Sequence, residues 1–187
     1  MTDVVHLTCP VVDSLQLRSL RAGMAVRLSG TLLTARDAAH ARLHQLLQAS
    51  QALPVNLENQ ALYYVGPAPA APGLVVGAAG PTTASRMDPY TPELLAQGLK
   101  VTIGKGYRSA AVVSAMVRHQ AVYLGAIGGI GALLSRTIKN ARVLAFEDLG
   151  PEAIYELVVE DFPALVLVDT TGQDYYQIGQ DSYRRRR

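Results

Sequence analysis

The residues of this chain that could do chemistry stand just past short apolar runs. In "GPTTASRMDPY", residues 80–90, Thr82, Thr83 and Arg86 lie among a glycine and two prolines, after the apolar run "GLVVGAA". Arg36 follows the run "GTLLTA", and Lys105 follows "VTIG". Two guanidiniums, an ammonium and two hydroxyls form a donor set for a small dianion. An arginine fork matches both oxygens of a carboxylate, and lysine adds a point charge. In open α/β sheets ligands collect beyond the carboxyl ends of strands, which is where these residues would sit. The competing reading pairs each cation with a nearby acid such as Asp37 or Asp88.

Other chemistries fail on spacing. A phosphate loop needs two glycines four residues apart followed by Lys and Ser/Thr. Here five residues separate Gly98 from Gly104, and Gly106 stands where the hydroxyl belongs. The dinucleotide fingerprint needs a third glycine, and "GAIGGIGALL" has Leu134 in that place after Gly129 and Gly131. "HARLH" puts His40 and His44 on one helical face, but no glutamate lies between them and no third ligand is evident, so they read as structural. There is no G-x-S-x-G elbow, and the one cysteine, Cys9, has no obvious partner for nucleophilic catalysis. No metal site of the chain's own is expected.

The elements that must position the polar residues alternate. Strands are expected over 25–35, 61–68, 73–81, 100–103, the apolar run "AVYLGAIGG", 141–148 and the start of 164–176, where a last strand could follow a turn. Helices are expected over 36–50, 91–98, 107–120 and "GIGALLSRT", with a short helical turn at "GPEAIYEL". Such alternation predicts an α/β fold with a mixed or largely parallel sheet.

At 187 residues, 49% hydrophobic and 17% charged, the chain has the makings of one globular domain. The formal net charge is +2, and Arg184 to Arg187 carry four of the positive charges, so the folded body is near neutral. That disfavours nucleic-acid binding as the main function, because a basic folded face would be needed. A single cysteine rules out an internal disulfide. The start "MTDVVHLTCPVV" makes a poor signal peptide, and no apolar run reaches the length of a membrane span. A cytoplasmic protein with no membrane or nucleic-acid partner is expected.

The stretch "GPTTASRMDPYTPELLAQGLKVTIGKG" closely resembles the Fe–S hydro-lyases of the class I fumarase and tartrate dehydratase family, specifically their beta subunit or equivalent C-terminal domain. "LSGTLLTARDAAHARL", "YLGAIGGIGALL" and "EDLGPEAIYELVVEDFPALVLVD" resemble it in the same order, so the likeness covers nearly the whole chain. The resemblance implies a swivelling-type β/β/α domain over residues 1–183, leaving 184–187 as a disordered basic tail. It implies reversible hydration of a small dicarboxylate: fumarate to malate, or dehydration of tartrate to oxaloacetate. It also implies a 4Fe–4S cluster held by three cysteines of a partner alpha subunit and not by this chain, in an α2β2 assembly. On the family pattern Arg36, Arg86 and Lys105 match substrate-binding cations. Thr82 matches a threonine implicated in proton transfer, with Thr83 as its alternative, and Asp37 and His40 take supporting roles. The rival readings are a stand-alone dicarboxylate-binding or regulatory module and a nucleic-acid accessory protein using the arginine tail.

Overall fold

Short apolar strands that are buried on both faces tend to pair in parallel, and the computed structural model shows this directly. It describes residues 4–127 and 129–184. The strands are β1 (Val5–Cys9), β2 (Ala25–Thr34), β3 (Ala61–Tyr63), β4 (Val101–Gly104), β5 (Val122–Gly125), β6 (Ile138–Ala145) and β7 (Ile154–Val168). Strands β1 to β5 lie side by side in parallel, and β7 runs antiparallel to β5, β6 and β2. Because β7 pairs with both β5 and β2, strands β2, β3, β4, β5 and β7 close into a five-stranded barrel. Strand β1 is appended to β2, and β6 to β7. The α/β class and mixed sheet expected from the sequence are what the structure shows.

Side chains alternate between two cores, as the two-residue strand period requires. Ala61, Tyr63, Val101, Ile103, Val122 and Leu124 pack with Leu17 and Leu20, which lie on or next to α1 (Ser14–Ser19). The opposite faces carry Leu62 and Tyr123. They pack beneath α2 (Asp37–Gln48), α3 (Thr91–Ala96) and α4 (Ala110–His119), through Leu43, Leu94 and Met116. Helices α5 (Gly131–Ser135) and α6 (Tyr175–Arg184) complete the set, with 3-10 turns at Ala84–Met87 and Glu147–Glu152. Among the described residues no helix is long and apolar enough to cross a membrane.

Three expectations are corrected. Residues 73–81 form no strand. Both edges of β3, the preceding strand, are taken by β2 and β4, and the run instead bonds back to Ala68, with Gly77 N–H donating to Ala68 O at 2.9 Å and Ala68 N–H to Ala78 O at 3.0 Å. The helical turn expected at "GPEAIYEL" is helical, as a 3-10 turn, only through Glu152; from Ile154 the chain is the first part of β7, because β6 and β2 pair with it. After β7 comes helix α6 in place of a last strand, and Arg184 is its final residue. The rest of the basic tail, 185–187, lies outside the described residues.

Strand β2 slips register against β7 between Leu28 and Gly30. Gly30 sits there at φ +105°, and a Cβ on it would lie 2.1 Å from the Cys9 carbonyl oxygen. Gly30→Ala should therefore destabilise the fold by about 2 kcal/mol or more, read as a lower urea midpoint; an unchanged midpoint would contradict this backbone conformation.

Candidate functional site

The carboxyl ends of three adjacent parallel strands form the frame. Strand β2 ends at Thr34, and the chain turns through Arg36, the N-cap of α2. Strand β3 runs on into Tyr64, and β4 runs on into Lys105. Between these last two the segment 82–84 is laid in by main-chain hydrogen bonds. Thr82 N–H donates to Tyr64 O at 2.7 Å, Lys105 N–H to Thr82 O at 3.2 Å, and Ala84 N–H to Lys105 O at 2.8 Å. Thr83 and Lys105 are parallel bridge partners. Residues 23 positions apart thus sit on neighbouring strand extensions, with Thr82 half-buried and Thr83 and Lys105 exposed.

The two arginines meet on one carboxylate. Asp37 Oδ1 lies 2.8 Å from Arg86 Nε, and Asp37 Oδ2 lies 3.5 Å from Arg36 Nε. Glu152 also reaches Arg36 Nε at 3.4 Å, while its other oxygen accepts from Ala38 N–H at 2.8 Å and so caps the start of α2. Gly66 gives Arg36 its seat: a Cβ there would lie 3.0 Å from Arg36 Cδ. Both arginines are therefore held by their Nε edges. Their terminal nitrogens take no hydrogen bond among the described residues, and the Arg86 side chain is 51% exposed. The pairing of cations with Asp37 and the gathering of cations coexist, because one acid serves two arginines. Asp88 does not pair with Arg86; its partner is Arg108. Lys105 has no ion-pair partner among the described residues.

The histidines have separate jobs. His40 is fully buried beside Tyr64 and Tyr90, and its Nδ1 stands 2.9 Å from Arg36 O, which can only accept, so Nδ1 carries the proton. His40 Nε2 is buried without a partner among the described residues. His44 pairs with Glu93 at 2.8 Å. Among the described residues no three His, Cys, Asp or Glu side chains are grouped to hold a metal ion. Cys9 is buried in β1, and burial pushes its thiol up to about 12, which leaves it unreactive at neutral pH.

Sequence reasoning missed Glu152, Arg108 and Tyr64. Glu152 arrives from more than a hundred residues beyond Ala38, with no local signal. Arg108 reads as the first turn of a helix, but the helix begins at Ala110 behind the N-cap Ser109. A surface cleft of about 520 Å³ lies elsewhere, lined by Arg27, Arg136 and Lys139 among others. With Thr83, Arg86 and Lys105 exposed and Arg36 and Thr82 half-buried, the gathered residues present a ledge.

With this geometry in view, the comparisons are specific. The family described as fumarase C-terminus matches residues 2–179. The chain belongs to that family. It is 42% identical over 163 residues to fumarate hydratase 2 of Leishmania major, covering 86% of this chain and 29% of that one. It is 40% identical over 176 residues to the aerobic class I fumarate hydratase of Escherichia coli K12, covering 92% of this chain and 32% of that one. It is 32% identical over 167 residues to a putative L(+)-tartrate dehydratase subunit beta of Methanocaldococcus jannaschii, covering 86% of each chain. This member of the fumarase C-terminus family spans about a third of the length of the fumarate hydratases it matches.

Burial lowers the His40 pKa from 6.5 to about 4 in the folded chain, although the bond to Arg36 O opposes the shift. Between those pH values the unfolded chain binds the extra proton. The His40 contribution is therefore complete above pH 6.5 and is lost as pH falls toward 4. His40→Asn should flatten that part of the stability–pH curve, by on the order of 3 kcal/mol across the window. Parallel curves for the two proteins, measured by denaturation at each pH, would refute the buried neutral state.

Proposed function

We propose that this chain is the beta-type half of an iron–sulfur-dependent hydro-lyase acting reversibly on a small dicarboxylate, fumarate/malate or tartrate/oxaloacetate. One observation carries the reading: Arg36 and Arg86 share Asp37 through Nε, with no hydrogen bond from their terminal nitrogens among the described residues, beside the strand extensions that carry Thr82, Thr83 and Lys105. The names of the relatives support the reaction class. A relative of which this chain covers 86% is itself named a putative subunit beta, which supports dependence on a partner.

Each residue has a role in this reading. The open edge of an arginine binds one substrate carboxylate through two parallel N–H···O bonds, and Lys105 adds charge to the opposite end. Removing a proton next to a carboxylate spreads charge onto that carboxylate. Cations held against it therefore stabilise the transition state more than the ground state. Asp37 and Glu152 keep the guanidiniums from drifting, so part of the orientational cost is met before substrate arrives. Thr82 is the proton-transfer hydroxyl, with Thr83 as its alternative; a hydroxyl is a weak base and needs help from a group on the facing subunit. In this reading a 4Fe–4S cluster on a cysteine-bearing alpha subunit supplies Lewis-acid polarisation of the leaving hydroxyl. This chain has no ligand set for that cluster, since its one cysteine is buried in the core. An α2β2 assembly, with the ledge closed by the alpha subunit, completes the proposal.

Arg86→Ala and Lys105→Ala should each cost about 2–5 kcal/mol of transition-state stabilisation in the complex with the cluster-bearing subunit, while leaving the thermal unfolding of this chain unchanged. Wild-type kcat/KM in either variant would refute the site. Failure to co-purify a cysteine-bearing partner, together with no hydratase activity after anaerobic reconstitution, would leave a binding module in place of an enzyme.

A further inference from the structure

Arg108 is the buried cation nearest the ledge, and its surroundings are unusual. Its side chain is fully buried. Nε lies 2.9 Å from Asp88 Oδ1 as an ion pair that is not aligned as a hydrogen bond. One terminal nitrogen donates to Tyr64 Oη at 3.1 Å and the other to Thr91 Oγ1 at 2.6 Å. The guanidinium carbon stands 5.3 Å from the Tyr64 ring centroid and 5.2 Å from that of Tyr123. Taking a guanidinium and a carboxylate out of water is costly, and well-packed apolar residues would serve the core as well or better. Stability alone therefore does not explain an arginine here.

Each group that Arg108 touches bears on a piece of the ledge. Tyr64, through its carbonyl, receives the Thr82 N–H. Thr91 Oγ1 donates to Met87 O at 2.9 Å, at the end of the 3-10 turn that carries Arg86. Asp88 closes the same turn, and its second oxygen accepts from Ser109 N–H at 2.7 Å. Tyr123 Oη donates to Gly106 O at 3.0 Å, next to Lys105. We infer that Arg108 is a positioning residue: a buried hub whose two directed donors, one ion pair and two cation–π ring contacts fix the backbone carrying Thr82, Arg86 and Lys105. Its consequence for turnover rests on the function proposed above. Lysine cannot replace it, because a single ammonium on a flexible stem does not span Asp88, Tyr64 and Thr91 with a planar fork.

Arg108→Lys in the full chain tests this by amide hydrogen exchange, which needs no substrate. The amides of Thr82, Ala84 and Lys105 should exchange about tenfold faster or more, while those in the β1–β2 pairing keep their wild-type rates. A variant that was merely less stable would exchange faster throughout. Should Arg108→Lys fail to fold, Asp88→Asn combined with Arg108→Met removes both charges together and carries the same expectation. In the complex with the cluster-bearing subunit, kcat/KM should fall about 10- to 100-fold. Combining Arg108→Lys with Arg86→Lys should cost less than the sum of the two, since both act on one geometry. Unchanged exchange at those three amides, a uniform rise including β1 and β2, or wild-type turnover in an active complex would overturn the inference. A local rise in exchange with a wild-type complex inactive toward every diacid would sink the proposed function and leave the hub standing.

Discussion

Three main-chain hydrogen bonds decide where the polar residues of this chain can act. By donating Thr82 N–H to Tyr64 O and receiving Lys105 N–H on Thr82 O, the segment 82–84 becomes a wedge between the ends of β3 and β4. Peptide groups are obligatory donors and acceptors, so a segment seated this way is fixed in register as firmly as a strand. Thr82, Thr83 and Lys105 inherit that register from the main chain. Arg86, three residues along, is thrown toward the start of α2, where Asp37 meets it.

The electrostatics follow from that seating. Arg36 and Arg86 carry like charge and approach each other because Asp37 stands between them and Glu152 stands beside Arg36. Each carboxylate also lies at the start of α2, where the helix favours negative charge. The result is two guanidiniums held by their Nε edges, Arg86 half-exposed and Arg36 seated more deeply against Gly66. Behind them, on the buried side, Arg108 neutralises Asp88 and ties the same segment to α3 and α4. An exposed layer of cations thus rests on a buried, hydrogen-bonded one.

Alternation, buried apolar runs and turn residues in the sequence marked β2, α2, β4, α4 and β5 and the α/β class, because these depend on local pattern and short-range propensity. The same pattern misled at 73–81, where an apolar run bonds back to Ala68 and joins no strand. At 154–168 the partners of β7 lie far away in the chain, and local helix signals carried no information about them. Barrel closure by β7 is a long-range event of this kind.

For the site, residue type and position past an expected strand marked Arg36, Arg86, Lys105 and the two threonines. The strand ends before Arg36 and Lys105 are real, but 73–81 is no strand, and Thr82, Thr83 and Arg86 come to the ledge through the long-range main-chain bonds of 82–84. What only the tertiary structure decided was their sharing. That Asp37 serves both arginines, that Glu152 arrives from the far end of the chain, and that Arg108 and not Arg86 takes Asp88 all depend on distances between elements. A linear sequence holds charge and order, but which acid meets which base is set by how the strands are stacked.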